Sequence, residues 1–283
     1  MKLVDYGILF WALVMSLLLP LQLAQREWIV YGQYERQYHK KMDNAIDDAL
    51  FYMVEQDDFK NIKINREECV DAFYHSFYGN FGFMRNPMGQ KRIKQHLPLI
   101  SIIELNRMSI AYRKPVQKEG EGQLEEYWSP YYSYQYEENG YQYEFSIGNL
   151  RDWVRIYSLE QKEWVEGLRF DVANKNKDFS WMRDDERFEQ IRRHTVIETI
   201  KKSMQQVINR YNLIGIQYGK QYEFYLPEIE TQPWCRTLDD MGIIVLFQGY
   251  PVDSLMGDTY DRFLYAGART YKQEKEIEII EEE

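Results

Sequence analysis

Chemistry-bearing residues are scarce in this chain: its 283 residues include two cysteines, four histidines and eight prolines. Cys69 and Cys235 are too far apart for a CxxC metal or redox motif. They leave two readings open, a single Cys69–Cys235 disulfide if the domain lies outside the cytoplasm, or two buried thiols. No Walker loop, GxGxxG, GxSxG or HExxH occurs. His194 and Glu198 are four apart at helical spacing, but no third ligand accompanies them, and a surface pair is the simpler reading. Cys69 and His75 are six apart, about 600° of helical rotation, and so face different ways. The adjacent acids Asp57 and Asp58, and Asp239 and Asp240, fall in turn-like stretches. No catalytic residue, metal or cofactor is expected, and a non-enzymatic role follows. Basic charge is also short, 35 Lys and Arg against 45 Asp and Glu for a net charge of -10, with no basic stripe. That argues against nucleic acid as a partner, because phosphate binding needs concentrated positive surface.

Only one long uncharged run occurs, the twenty residues Tyr6 to Gln25, YGILFWALVMSLLLPLQLAQ. As a helix it rises roughly 30 Å, the hydrocarbon thickness of a bilayer. A core helix would carry a polar face, whereas only Ser16 and Gln22 interrupt this one. A secretory signal would carry a basic leader and a small-x-small cleavage site, whereas Lys2 is balanced by Asp5 and Ala24 is the only small residue near the end. A retained membrane span is therefore expected. Beyond it, Trp28, Tyr31, Tyr34, Tyr38, Met42, Ala45, Ala49 and Tyr52 recur at three- and four-residue spacing, so the span should continue as an amphipathic helix to about residue 56. That stripe serves either its own domain or pairing with another subunit.

The period then changes. Asn65, followed by Glu68, is a capping signal for a second helix with Cys69, Val70, Phe73 and Phe77 inward. Lys91 to Lys94, between Asn86-Pro87 and Leu97-Pro98, reads as a solvated connection. From Leu97 the runs LPLISIIEL, RMSIAYRK and YWSPYYSYQYEENGYQYEFSI, with the polar insert KEGEGQ among them, indicate strands. Asn139-Gly140 predicts a type I′ hairpin that pairs Glu138 with Tyr141, Tyr136 with Tyr143, Tyr134 with Phe145 and Tyr132 with Ile147, an aromatic ladder on one face. Either a helix covers the ladder, or Tyr131, Tyr134, Tyr136, Tyr143 and Trp153 contact a ligand. Trp153 to Tyr157 reads as a strand, 160–181 as loop, and Asp185 to Tyr211 as a long helix. GKQYEFYLP, MGIIVLFQGYPV and RFLYAGARTYK read as three more strands before an acidic end. The fold class is α+β: a long N-terminal transmembrane helix continuing as an amphipathic helix, then an antiparallel sheet with packed helices. The divisions are 1–25 tail and span, 26–56 helical extension, 57–272 α+β domain and 273–283 acidic tail.

A short tail with an acid at Asp5, a span containing Pro20, the continuation MDNAIDDAL and a sheet-rich domain together resemble the pseudopilins of tight-adherence (Tad) pilus systems, and membrane-anchored proteins of Gram-positive bacteria. In pilins an acid near the mature N-terminus sits at the membrane end of the helix and a proline loosens it further along, positions that Asp5 and Pro20 match in kind. The resemblance implies a minor or accessory pilin-like subunit of a surface filament or secretion apparatus. Its partners would be the membrane and other such subunits, and Asp5, Pro20, Tyr31, Tyr34, Tyr38 and Met42 would serve assembly. The domain would lie outside the cytoplasm on a single-pass anchor. The rival expectation is a membrane-tethered ligand-binding or sensing domain built on the aromatic sheet.

Overall fold

The computed structural model describes residues 3–58, 61–118, 121–217, 223–227, 240–252 and 257–267. Helix α1, Leu3–Met53, is a single helix of 51 residues that runs through Pro20. It is followed by a small antiparallel pair, β1 (Val54–Asp58) and β2 (Asn61–Ile64), then α2 (Arg66–Asn80) and α3 (Pro87–Ile93). The sheet begins with β3 (Leu99–Ile103), β4 (Arg107–Lys118), β5 (Glu121–Trp128), β6 (Tyr132–Glu138) and β7 (Tyr141–Phe145). After β8 (Trp153–Ser158) and β9 (Trp164–Leu168) come α4 (Arg169–Lys175), α5 (Asp185–Gln217), β10 (Gly242–Pro251) and β11 (Thr259–Gly267). The nine strands β3 to β11 form one antiparallel sheet in the order β11-β10-β3-β4-β6-β7-β8-β9, with β5 beside β4.

Two apolar clusters lie on opposite faces of this sheet, giving three layers. Along β10 the alternation assigns Ile243, Val245 and Phe247 to one cluster and Ile244 and Leu246 to the other. A strand buried on both faces reads as a continuous apolar run, which is why MGIIVLF carries no polar alternation. On the first face, Met42, Ala45, Ile46, Ala49 and Met53 of α1 meet Cys69, Val70, Phe73 and Phe77 of α2. On the second, Phe188, Ile197, Ile200, Met204 and Ile208 of α5 cover Tyr134, Tyr143 and Phe145. α1 and α2 cover the β11-β10-β3 half, and the outer face of the β7-β8-β9 half carries the exposed Trp153, Trp164 and Leu168.

The α+β class stands, with an antiparallel sheet and packed helices. Asn65 caps α2 as expected, its side chain accepting from the Glu68 amide at 3.3 Å. The hairpin has the expected register, Glu138 to Tyr141, Tyr136 to Tyr143 and Tyr134 to Phe145, with Asn139 at φ 53° and Gly140 at φ 79°. The ladder stops there, because the Ile147 amide donates to the Leu105 carbonyl at 2.7 Å and Tyr132 pairs with Met108 instead.

Other expectations are corrected. Lys91 to Ile93 end α3, with Lys94 as its C-cap, and the helix is started by Asn86, whose side chain accepts from the Gly89 amide, and by Pro87 in the first turn. Within the polar insert, Lys118 ends β4 and Glu121 to Gln123 begin β5, and the two strands pair as far as Lys118 and Glu121. The stretch 160–181 contains β9, an exposed edge strand, and α4, too short at seven residues for its period to show. Val54–Asp58 and Asn61–Ile64 pair as β1 and β2 rather than forming a simple break, and α1 ends with Met53 buried and Tyr52 exposed. Residues Glu223 to Pro227, within GKQYEFYLP, are not a strand. The Asn212 side chain binds the Phe224 amide and carbonyl, and the Gln248 side chain binds those of Tyr225, so side-chain amides replace a neighbouring strand.

Candidate functional site: the exposed half of α1 and its root

The feature set apart by exposure is the N-terminal half of α1. From Phe10 to Leu23 every described side chain is exposed except Val14, which is half-buried. Phe10 is 65% exposed, and the consecutive Leu17, Leu18 and Leu19, each turned 100° from the last, place apolar surface around the whole circumference. None of these residues joins either core cluster. Among the described residues no helix is long and apolar enough to cross a membrane. Tyr6 is also exposed, and the side chains of Ile8 and Leu9 are not described, so the continuous described apolar surface begins at Phe10. Pro20 has no amide hydrogen, so the Ser16 carbonyl lacks its usual donor one turn on, while the Ser16 hydroxyl donates to the Leu13 carbonyl at 2.8 Å.

The stripe beyond belongs to the domain. Tyr38 contacts the rings of Phe81, Tyr250 and Tyr260 at 5.3 to 5.4 Å, and Met42 is 0% exposed. Tyr34 and Tyr31 are half-buried against the same cluster. A polar row along one face of α1, at Tyr31, His39 and Asp43, completes the seam with β11. The Tyr31 hydroxyl donates to the Thr259 carbonyl at 3.4 Å, His39 Nδ1 and the Tyr260 hydroxyl are 3.2 Å apart, and Asp43 pairs with Arg262 at 2.7 Å. Tyr31, Tyr34, Tyr38 and Met42 therefore cannot present themselves together to another subunit, as the assembly expectation required. Pro20 remains exposed, and the Asp5 side chain lies outside the described residues.

At the root of the exposed half, a cavity of about 500 Å³ opens between α1 and the turn before β11, lined by Glu27, Trp28, Tyr31, Gly257, Asp258 and Thr259. Trp28, 75% exposed, stands at its rim. Burial pushes the Tyr31 phenol upward, with the negative charges of Glu35, Asp258 and Asp261 adding to the shift. The cavity is thus acidic and aromatic. Sequence reasoning missed it, because Asp258 and Thr259 lie more than 200 positions from Tyr31 in a turn without a motif.

The proposed ligand contacts scatter. Tyr134 is 0% exposed, its hydroxyl donating to the Glu104 and Arg107 carbonyls, and Tyr143 is buried against Trp181 and Phe179. Both are core. Tyr136 packs edge-on to Trp181 and lines an open groove along the start of α5. Tyr131 is exposed, its ring faced by the Arg107 and Arg66 guanidiniums at 3.7 and 4.7 Å. Trp153 shares the outer sheet face with Tyr157 and Trp164, whose rings are 4.9 Å apart. Cys69 is a buried free thiol whose pKa burial pushes up to about 12. Cys235 lies outside the described residues. Among the described residues no cluster of three His, Cys, Asp or Glu side chains could hold a metal.

Comparison with protein-family models, with curated proteins and with solved structures found no match to this chain.

Proposed function

We propose that this protein is a non-enzymatic, membrane-anchored subunit, with the first half of α1 embedded in a bilayer and the sheet domain held outside the cytoplasm. The observation carrying the reading is that one helix is apolar and exposed around its circumference from Phe10 to Leu23, then becomes a core element of a folded domain from Tyr34 to Met53. Burying an exposed Leu in an apolar medium is worth roughly 1.5 to 3 kcal/mol, so exposing this surface to water would be costly. The uncharged run Tyr6 to Gln25 has the length of a span, counted on the sequence. Arg26 and Trp28 follow it, residue types that favour the membrane–water boundary.

Within that class, a minor or accessory pilin-like subunit of a surface filament or secretion apparatus is the favoured role. A single helix, half free and half packed on an antiparallel sheet, supports side-by-side packing of the free halves. Asp5 would be the assembly acid, since a carboxylate near the end of a span is costly without a partner. A tethered binding domain is the second reading. It rests on the exposed Trp153 and Trp164 with the half-buried Tyr157 between them, because Tyr134 and Tyr143 are buried.

Both levels are testable. Carbonate-washed membranes should retain the full chain, and protease added to intact spheroplasts should remove the domain. Release by carbonate would refute the anchor, and full protection would refute the topology. Asp5→Ala should insert and fold but lose its co-purifying subunits. Unchanged recovery of partners would refute the pilin-like role and leave the tethered domain.

A further inference from the structure

We infer that the corner between β5 and β6 binds an acidic peptide segment of a partner protein, through the Arg66 and Arg107 guanidiniums that face the exposed Tyr131 ring. The inference goes beyond the membrane reading and does not depend on it.

The arrangement starts from a corner in the chain. β5 and β6 both pair with β4, and the chain passes from one to the other through Ser129, Pro130 and Tyr131. The corner is fixed to β4, because the Ser129 amide donates to the Ile110 carbonyl at 2.8 Å and the Ile110 amide donates to the Ser129 hydroxyl at 2.9 Å. Here Trp128, Arg66, Tyr131 and Arg107 contact one another in succession. The Arg66 guanidinium carbon is 4.6 Å from the Trp128 ring centre and 4.7 Å from that of Tyr131, and the Arg107 guanidinium carbon is 3.7 Å from Tyr131. Both arginines are anchored. Arg66 is the first residue of α2, directly after the Asn65 cap, and Arg107 Nε donates to the buried Glu104 carboxylate at 2.8 Å.

A guanidinium stacked on a ring keeps its N–H donors in its own plane, where they reach acceptors beyond the ring edge. Among the described residues Arg66 has no hydrogen-bond acceptor or carboxylate partner, and Arg107 has only Glu104, on Nε. The exposed Glu67 and Glu68, in the first turn of α2, do not pair with Arg66. One carboxylate therefore serves two guanidiniums, on a chain whose net charge is -10, and the surplus positive charge is complementary to an acidic partner. The two guanidiniums are separated by no more than their two distances to the Tyr131 ring together, which suits carboxylates two residues apart on an extended segment, roughly 7 Å from each other. Each planar fork takes one carboxylate through two parallel hydrogen bonds. The Asn65 amide donates to the Met53 carbonyl at 3.1 Å, so the pair stands at the end of α1 roughly 40 Å of helix beyond Gln25, away from any bilayer that holds the apolar half.

The test follows a fluorescein-labelled octaglutamate peptide by anisotropy, with the full chain in detergent at low salt and a phosphoserine peptide of the same length for comparison. Wild type should bind the glutamate peptide. Arg66→Gln and Arg107→Gln should each weaken binding about three- to fivefold, and together about tenfold or more, the range expected of partly exposed charge pairs. Arg66→Lys keeps the charge but loses the planar fork, and should lose as much as Arg66→Gln. Arg85→Gln, at an exposed arginine elsewhere, should bind as wild type does. Near-ultraviolet circular dichroism checks that each variant is folded; if loss of the Glu104 partner unfolds Arg107→Gln, the Arg66 variants decide alone. No binding by wild type, binding undiminished by Arg66→Gln, or an equal loss in Arg85→Gln overturns the site. Full binding by Arg66→Lys overturns the guanidinium pairing, and tighter binding of the phosphoserine peptide overturns the carboxylate assignment in favour of phosphate. Peptide binding in detergent is independent of insertion, so failure here leaves the membrane reading standing.

Discussion

The sharpest consequence of the structure concerns Met42, a residue that the stripe pattern offers to a neighbouring subunit and the fold buries in its own core. Met42 is 0% exposed and shares a cluster with Ala45, Ala49, Phe73 and Phe77, where α1, α2 and the sheet meet. Replacing a buried Met by Ala removes its transfer energy and leaves a cavity, together about 2 to 5 kcal/mol. The two alanines beside it cannot extend into the gap, so the middle of that range, about 3 kcal/mol, is expected. For a domain of this size each kcal/mol lowers the melting temperature by about 2 to 4 °C, giving a drop of about 6 to 12 °C for Met42→Ala. The comparison is Leu17→Ala, on the exposed half of α1, which should leave domain melting unchanged because Leu17 joins neither core cluster. Melting of both variants would be followed in detergent by near-ultraviolet circular dichroism, which reports the packed aromatic rings. A shift under about 2 °C for Met42→Ala, with loss of co-purifying subunits, would refute the placement of this stripe in the core.

Two further outcomes follow from buried groups. The Cys69 thiol, raised by burial from 9.0 to about 12, should resist alkylation at pH 8.5 until the domain is unfolded. Because its folded pKa lies above the unfolded one, its contribution to stability is complete below pH 9 and lost as pH rises towards 12; rapid alkylation of the native protein at this residue would contradict its burial. Glu189 accepts from the Nε and Nη2 of Arg192, a guanidinium only 1% exposed. Burial raises the Glu189 pKa, but the hydrogen bond and charge of Arg192, with Arg193 and Arg151, outweigh it and hold the carboxyl below 4.5. This carboxylate therefore stabilises the fold above pH 4.5 and ceases to as pH falls through its folded value. Glu189→Gln should cost about 2 kcal/mol at neutral pH and reduce the acid sensitivity of unfolding; an unchanged denaturation midpoint would show that other acceptors suffice.

What the sequence made legible was what local chemistry decides. The Asn139-Gly140 turn fixed three cross-strand pairs because both residues tolerate positive φ and the side-chain period in a strand is two. The Asn65 cap and the long period of α5 were readable for the same local reason. Elements held by distant partners were not readable. The segment Glu223 to Pro227 has strand-like composition, but its backbone is satisfied by Asn212 and Gln248, whose identity as partners depends on the fold. The fate of the aromatic ladder also lay beyond the pattern. Alternation puts Tyr134 and Tyr143 on one face, and only the crossing of α5 makes that face core. The root cavity belongs to this second class, because it exists only where β11 meets α1.

The junction in α1 determines how its two halves move. Within α1 the only residues with weak helical preference for backbone reasons are Gly7, Pro20 and Gly32. Gly32 lies between Tyr31 and Tyr34, both packed against the core cluster, and a Cβ added there would meet an Arg36 guanidinium nitrogen at 3.7 Å. Flexion there would have to break the Tyr31 to Thr259 hydrogen bond and lift Tyr34 from the cluster. Pro20 has no such restraint: its neighbours along the helix are exposed, and the hydrogen bond to the Ser16 carbonyl is already absent. Bending of α1 therefore concentrates at Pro20, within the apolar half, while the root with its cavity moves as one body with the sheet domain. Were the apolar half embedded in a bilayer, as proposed, the flexible point would lie inside the lipid and the domain's orientation would be fixed to the segment of α1 beyond Gln25.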